Sequence, residues 1–180
     1  TRIAHVKGVI EAGDRAKTTG VPEIEKHPEK FVMLPAMARK RRLFVEERMQ
    51  KCMGLAEEVA YNRIEDGDRR IGFVTSGVSY LYVKEAFPDA RVLKLGMCWP
   101  LPEKKIREFA ASVDSLIIVE ELDPFLETQI KAMGIECRGK ELIPAIGELN
   151  TAIVRNAIDP DGGKRDLFDP VELPMRPPNM

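Results

Sequence analysis

Between residues 70 and 133 the chain switches repeatedly between two hydrophobic patterns. Short apolar runs rich in β-branched residues occur at 70–75 (RIGFVT), 91–96 (RVLKLG) and 115–121 (SLIIVEE). Runs of this length and composition read as buried strands. Between them lie stretches of helical period, at about 78–87, 102–112 and 124–133. In the second, Ile106, Phe109, Ala110 and Val113 share one face. The punctuation agrees. Ser76-Gly77 turns the chain after the first strand, and Pro88 ends the first of these helices. Pro100 and Pro102 precede the next, and Pro102 suits its first turn. Asp123-Pro124 reads as a cap followed by an N1 proline, and Gly134 as a left-handed stop. IECRGK at 135–140 predicts a fourth, shorter strand, and 148–158 a last helix. Upstream, a long helix is expected from about 43 to 61. There Phe44, Met49, Cys52, Met53, Leu55, Ala56, Val59 and Ala60 recur at spacings of three and four. Glu46 and Glu47 near its start suit the helix dipole, and Gly54 is a mild mid-helix penalty.

Strands separated by ten-residue helices cannot pair as hairpins. They require right-handed crossovers and a mainly parallel sheet covered on both faces. The expectation is a three-layer α/β/α domain over 43–158. Residues 1–10 (TRIAHVKGVI) are apolar and β-prone. Residues 11–30 have linker composition, as does the chain from Asp159 onward.

Composition narrows the function classes. The chain has 180 residues and a formal charge of -1, so no basic field points to nucleic acid. The basic run RKRR at 39–42 reads as a solvated loop or helix start. No apolar run approaches the roughly 18 residues of a transmembrane helix, and no signal-like segment opens the chain. Cys52, Cys98 and Cys137 are far apart, with no CxxC pair and only His5 and His27 as further soft donors. Metal and iron–sulfur spacings are absent, and free thiols in a reducing cytosol are the expected state. Cys52 and Cys137, among apolar residues, are expected to be packed rather than reactive.

Candidate chemistry concentrates at strand ends. Thr75, Ser76 and Gly77 sit between a strand and a helix, where open α/β sheets bind ligands and helix N-termini attract anions. One glycine is not a GxGxxG, however, and no GxxxxGK[ST] or GxSxG occurs, so a tight turn explains the residues. Glu120 and Glu121 form a carboxylate pair at another strand end, with no histidine or third acid beyond Asp123. A structural or interface role is expected for them, with Asp123 capping the next helix. Trp99 reads either as an exposed interface anchor or as a core filler. His5 is expected to be structural and His27 solvated.

Three segments carry a family resemblance. VTSGVSYLYVKEAF, VLKLGMCWPLPEKKIREFA and LIIVEELDPFLETQIKAMGI together resemble the C-terminal-type domain of transketolase-like enzymes: a T-x-G turn, a proline-containing element, then a strand ending in VEE. GVSYLYVKEAF, LGMCWPLPE and VEELDPF are most similar to the larger subunit of indolepyruvate:ferredoxin oxidoreductases. The opening TRIAHVKGVIE resembles the tail of the pyrimidine-binding domain of such enzymes. The closing RPPNM resembles the linker before a Cys-Pro-Gly-Cys element and the diphosphate-binding domain. The resemblance implies a domain within a longer chain: 1–42 as tail and linker, 43–158 as the α/β domain, 159–180 as a linker. It implies a sheet of about five strands with one antiparallel edge strand. For the whole enzyme it implies thiamine diphosphate, Mg2+ and 4Fe-4S clusters, and decarboxylation of an aryl pyruvate to an aryl-acetyl-CoA. The implied partners are the neighbouring domains, a smaller subunit, ferredoxin and coenzyme A, with a homo-oligomer also compatible. No catalytic residue carries over to this chain. Two other readings stand beside this one: the equivalent domain of a transketolase or 2-oxoacid dehydrogenase, and a free-standing nucleotide- or CoA-binding module using the turn at Ser76 and Gly77.

Overall fold

The computed structural model describes residues 11–15, 17, 20 and 23–160. The readings made for TRIAHVKGVI, His5 and the closing linker beyond residue 160 lie outside these residues. The elements are α1 (Pro28–Phe31), α2 (Pro35–Glu58), β1 (Arg63–Glu65), β2 (Asp68–Ser76), α3 (Ser79–Ala86), β3 (Ala90–Leu95), α4 (Glu103–Ala110), β4 (Ser115–Val119), α5 (Phe125–Ala132) and α6 (Thr151–Ile158). The strands form a four-stranded sheet in the order β1-β3-β2-β4. β2 pairs in parallel with β3 and with β4, and β1 runs antiparallel to β3 at the edge.

Period-2 alternation along the strands builds both faces. Val74, Leu93, Leu95, Leu116 and Ile118 face α4 and α5, where Ile106, Phe109, Leu126 and Ile130 close one core. Phe73, Val92, Ile117 and Val119 face the other way, onto Val83 and Ala86 of α3 and Val154 of α6. The expected three-layer α/β/α architecture is therefore present, with strands buried on both sides. Gly72 is required by a close approach, since a Cβ there would lie 2.7 Å from the Val113 side chain.

The structure departs from the sequence expectations in four places. Among the described residues the sheet has four strands rather than about five. IECRGK is not a strand: only Arg138 reaches the sheet, through an isolated parallel bridge to Ile117. Gly134, at φ 76°, turns the chain after α5, and Gly139 packs against Glu127, so the segment leaves the edge after one pair. β1 had no sequence signal, because its three residues are polar or exposed. Third, the long helix starts at Pro35 and places RKRR inside a regular helix. Its apolar residues do not form a buried face. Ala56 is its one buried residue, while Leu43, Phe44, Met53 and Leu55 are exposed. Cys52 on it is half-buried, whereas Cys137 is buried. Fourth, Pro102 is the N-cap of α4 rather than a first-turn residue.

Asn62 joins α2 to the sheet. It is 1% exposed. Its amide donates to the Ala56 carbonyl at 2.9 Å, and its side-chain oxygen accepts from the Gly96 and Met97 N–H groups at 2.9 and 2.8 Å. Lys105 Nζ donates to its main-chain carbonyl at 2.7 Å. The Glu57 carboxylate accepts from the Lys104 and Lys105 N–H groups at the start of α4. Among the described residues these ties hold the C-terminal end of α2.

Candidate functional site

After β2 the chain passes to α3 on one face of the sheet. After the neighbouring β4 it passes to α5 on the other. Divergence of adjacent loops opens a crevice beyond the carboxyl ends of the strands, the usual ligand position in an open α/β sheet. A cavity of about 270 Å3 lies there, lined by the Ser76–Ser79 turn, Cys98, Glu120, Glu121, Asp123, Phe125 and Leu126.

The candidate residues are only partly brought together. Ser76 and Gly77 line the crevice, and Gly77 takes φ 55°, the left-handed turn that its lack of a Cβ permits. Thr75 does not reach it. It is fully buried and by alternation points with Phe73 toward α3, where its Oγ1 has no hydrogen-bond partner.

Glu120 is 7% exposed and accepts the Leu126 and Glu127 N–H groups at 2.8 and 3.0 Å. It satisfies the first turn of α5 from across the loop and matches its dipole. Asp123 was expected to fill that role. The N-cap position is instead Pro124, with no side-chain cap bond of its own, and Asp123 contributes its main-chain carbonyl to Phe125. The reach of Glu120 across six residues has no local sequence signature, so this exchange was not legible. Glu120 is thus internal, while Glu121 is exposed at the crevice mouth.

Beneath the crevice lies a polar cluster that sequence reasoning missed. Glu127 is buried and accepts from Lys131 Nζ at 2.6 Å and from the Lys140 N–H at 2.7 Å. Lys140 Nζ donates to the Glu120 carbonyl. Burial pushes the Glu127 carboxyl upward, but the hydrogen bonds and charges of Lys131 and Lys140 outweigh it, and the net shift is downward. Desolvation lowers the Lys140 ammonium, against the pull of Glu120 and Glu127. Burial pushes the nearby Cys137 thiol up to about 11, which keeps it protonated and unreactive at neutral pH.

Trp99 is 55% exposed at the rim, its ring 6.1 Å from Phe125 in an edge-on arrangement. Leu122, at φ 55°, is 67% exposed in the loop between β4 and Phe125. The core-filler reading of Trp99 is excluded. Among the described residues no group of three or more His, Cys, Asp or Glu side chains could hold a metal ion. Cys98 and Cys137 lie on one side of the sheet and Cys52 on α2. The donor set here does not fit a 4Fe-4S cluster or a Mg2+ site. No helix of the described residues is long and apolar enough to cross a membrane. A larger cavity, about 560 Å3, lies at the opposite end of the sheet between Phe73, Phe87 and Ile158. Its charged rim includes Asp68 and Arg70, which pair with each other.

Architecture and crevice define the class: a three-layer α/β/α domain with a cleft at the carboxyl ends of its parallel strands. The fold matches that of a solved 2-oxoglutarate:ferredoxin oxidoreductase from Magnetococcus marinus, determined with 2-oxoglutarate, coenzyme A and succinyl-CoA bound. The TM-score is 0.54 at 18% identity, over 69% of this chain and 23% of that one. The sequence goes further. A family described as "Indolepyruvate oxidoreductase domain" matches residues 62–151. Relatives named indolepyruvate oxidoreductase subunit IorA include one from Archaeoglobus fulgidus, 39% identical over 78% of this chain and 23% of its own length. Another, from Methanothermobacter marburgensis, is 33% identical over 99% of this chain and 32% of its own length. The chain belongs to the indolepyruvate oxidoreductase family. It spans 32% or less of the length of these relatives.

Proposed function

We propose that this chain is the middle, structural and interface domain of the larger subunit of an indolepyruvate-type 2-oxoacid:ferredoxin oxidoreductase. In this reading the whole enzyme converts an aryl pyruvate and coenzyme A to an aryl-acetyl-CoA and CO2, and ferredoxin takes up the electrons. Thiamine diphosphate, when bound, supplies the carbanion chemistry. That group, Mg2+ and the iron–sulfur clusters are held outside the residues described here. Residues 1–42 and 159–180 connect the α/β domain to neighbouring domains. A smaller subunit completes the complex in the cytoplasm.

One observation carries the interface role. The carboxylate best placed for chemistry, Glu120, has both oxygens occupied by α5, while Trp99, Leu122 and Phe125 stand exposed around the same crevice. A large aromatic flanked by apolar neighbours is the usual centre of a protein contact. Glu121 and Asp123 at the crevice repel a phosphate, which weighs against a free-standing CoA or nucleotide module. The supporting result is negligible binding of thiamine diphosphate with Mg2+ by the 180-residue chain in calorimetry, and amide signals of residues 75–80 unmoved by CoA. Micromolar thiamine diphosphate binding defeats the proposal, and CoA-dependent shifts at 75–80 favour the binding-module reading.

A further inference from the structure

The cavity at the amino ends of β2 and β3 has apolar walls. Phe73 is 1% exposed, with Ala86 and Ala90 buried beside it. Phe87 and Ile158 are half-buried and complete the wall. The Phe73 and Phe87 rings stack with their centres 5.3 Å apart and 21° between their planes. A concave space with mostly apolar walls and a few polar groups at its mouth is the usual form of a small-molecule site. Its volume of about 560 Å3 falls in the range such sites occupy. A flat ring suits these walls, because aromatic pairs gain from offset or edge contacts beyond the area they bury. The cavity lies at the other end of the sheet from the crevice, and it is independent of the functional reading above.

The charges at the mouth decide what head group the ring would carry. Asp68 and Arg70 offset each other, with Arg70 Nε donating to Asp68 Oδ2 at 2.7 Å. Two further cations stand close by, but both are bound to the end of α3. Lys84 Nζ donates to the Pro88 carbonyl at 2.8 Å, and Arg155 Nη2 to the Glu85 and Ala86 carbonyls at 3.2 and 3.3 Å. Asp89 and Asp159 are left as the open charges of the site. Both are exposed at the cavity, and among the described residues no hydrogen bond or ion pair engages either carboxylate. The helices reinforce the sign. α3 ends at Ala86 and α6 at Ile158, and both residues lie in the cavity wall. Helix C-termini present carbonyl ends with partial negative charge, which favours a cation. An anion would meet two carboxylates and two carbonyl ends there, and a neutral ligand would gain from neither.

We infer that this cavity is a binding site for a small aromatic amine, with its ring against the Phe87 wall and its ammonium at Asp89 and Asp159. Phenethylamine is the probe, titrated into the isotope-labelled 180-residue chain and followed by amide shifts. Saturable shifts are expected at 71–73, 86–90 and 158, with 76–79 and 120–126 at the crevice unmoved. Two analogues separate the parts of the probe. 3-Phenylpropionate keeps the ring and reverses the charge, and butylamine keeps the charge and lacks the ring. Each should bind about tenfold more weakly, or weaker still. Asp89→Asn combined with Asp159→Asn removes both open charges and should weaken phenethylamine about tenfold without weakening 3-phenylpropionate. These side chains are exposed, and far-UV circular dichroism confirms that the variant stays folded. The absence of saturable shifts at millimolar phenethylamine, shifts centred on the crevice, equal binding of either analogue, or a double variant that binds like the parent each overturn the inference.

Discussion

At the scale of single residues, the carboxylates at the end of β4 divide the labour in a way their adjacency hides. Glu120 folds back to hold the first turn of α5, and Glu121 stays in solvent. Glu120→Ala leaves the Leu126 and Glu127 N–H groups without their acceptor in a buried setting. A loss of about 2–3 kcal/mol in urea unfolding is expected, with Glu121→Ala near neutral. Glu127 carries a pH signature. Its folded carboxyl is held below the 4.5 of the free group, because Lys131 and the Lys140 N–H outweigh burial. The stability it contributes is therefore present above about pH 5 and is lost as pH falls through the folded value. Unfolding midpoints followed downward from pH 6 should fall more steeply for the parent than for Glu127→Gln, which lacks that titration and starts lower. Asn62 shows what residue-level reading cannot see. In sequence it is a helix breaker before an Asp-Gly-Asp turn. In the fold it is a buried tie between α2 and the end of β3, made by residues 34 and 35 positions away.

At the scale of elements, legibility followed how locally each element is determined. β2, α3, β3, α4, β4 and α5 were readable because each combines a hydrophobic period with a proline or glycine near one end. β1 was not, since its register comes wholly from pairing with β3. IECRGK has strand composition, yet Gly134 before it and Gly139 within it let it touch the sheet at one residue and leave. α2 was readable as a helix but not as an exposed one, because apolar spacing specifies a face and not what covers it. Gly54→Ala tests the helix by itself. Within one chain the added Cβ meets nothing, so helicity and the unfolding midpoint of dilute protein should rise, by up to about 1 kcal/mol.

At the scale of the whole molecule, the parallel β2-β3 and β2-β4 pairs with helices on both faces commit the chain to a crevice at the carboxyl ends of its strands. In many α/β proteins such a crevice is a catalytic pocket. Here its inner carboxylate is bound to the backbone and its rim is aromatic and acidic, the features on which the proposed interface role rests. The same position serves either purpose, because topology fixes where loops diverge and side chains alone decide what the gap holds.

The sequence by itself determined the layer order, the strand and helix succession from β2 to α5, and the family, because these rest on short-range periodicity and on wording. Tertiary structure alone decided that Glu120 and not Asp123 caps α5, that Thr75 turns away from the crevice, that Trp99 is exposed, and that α2 has a bare face. Each depends on contacts between residues distant in sequence or on solvent access to a surface. Neither is encoded in the local alternation of apolar and polar positions.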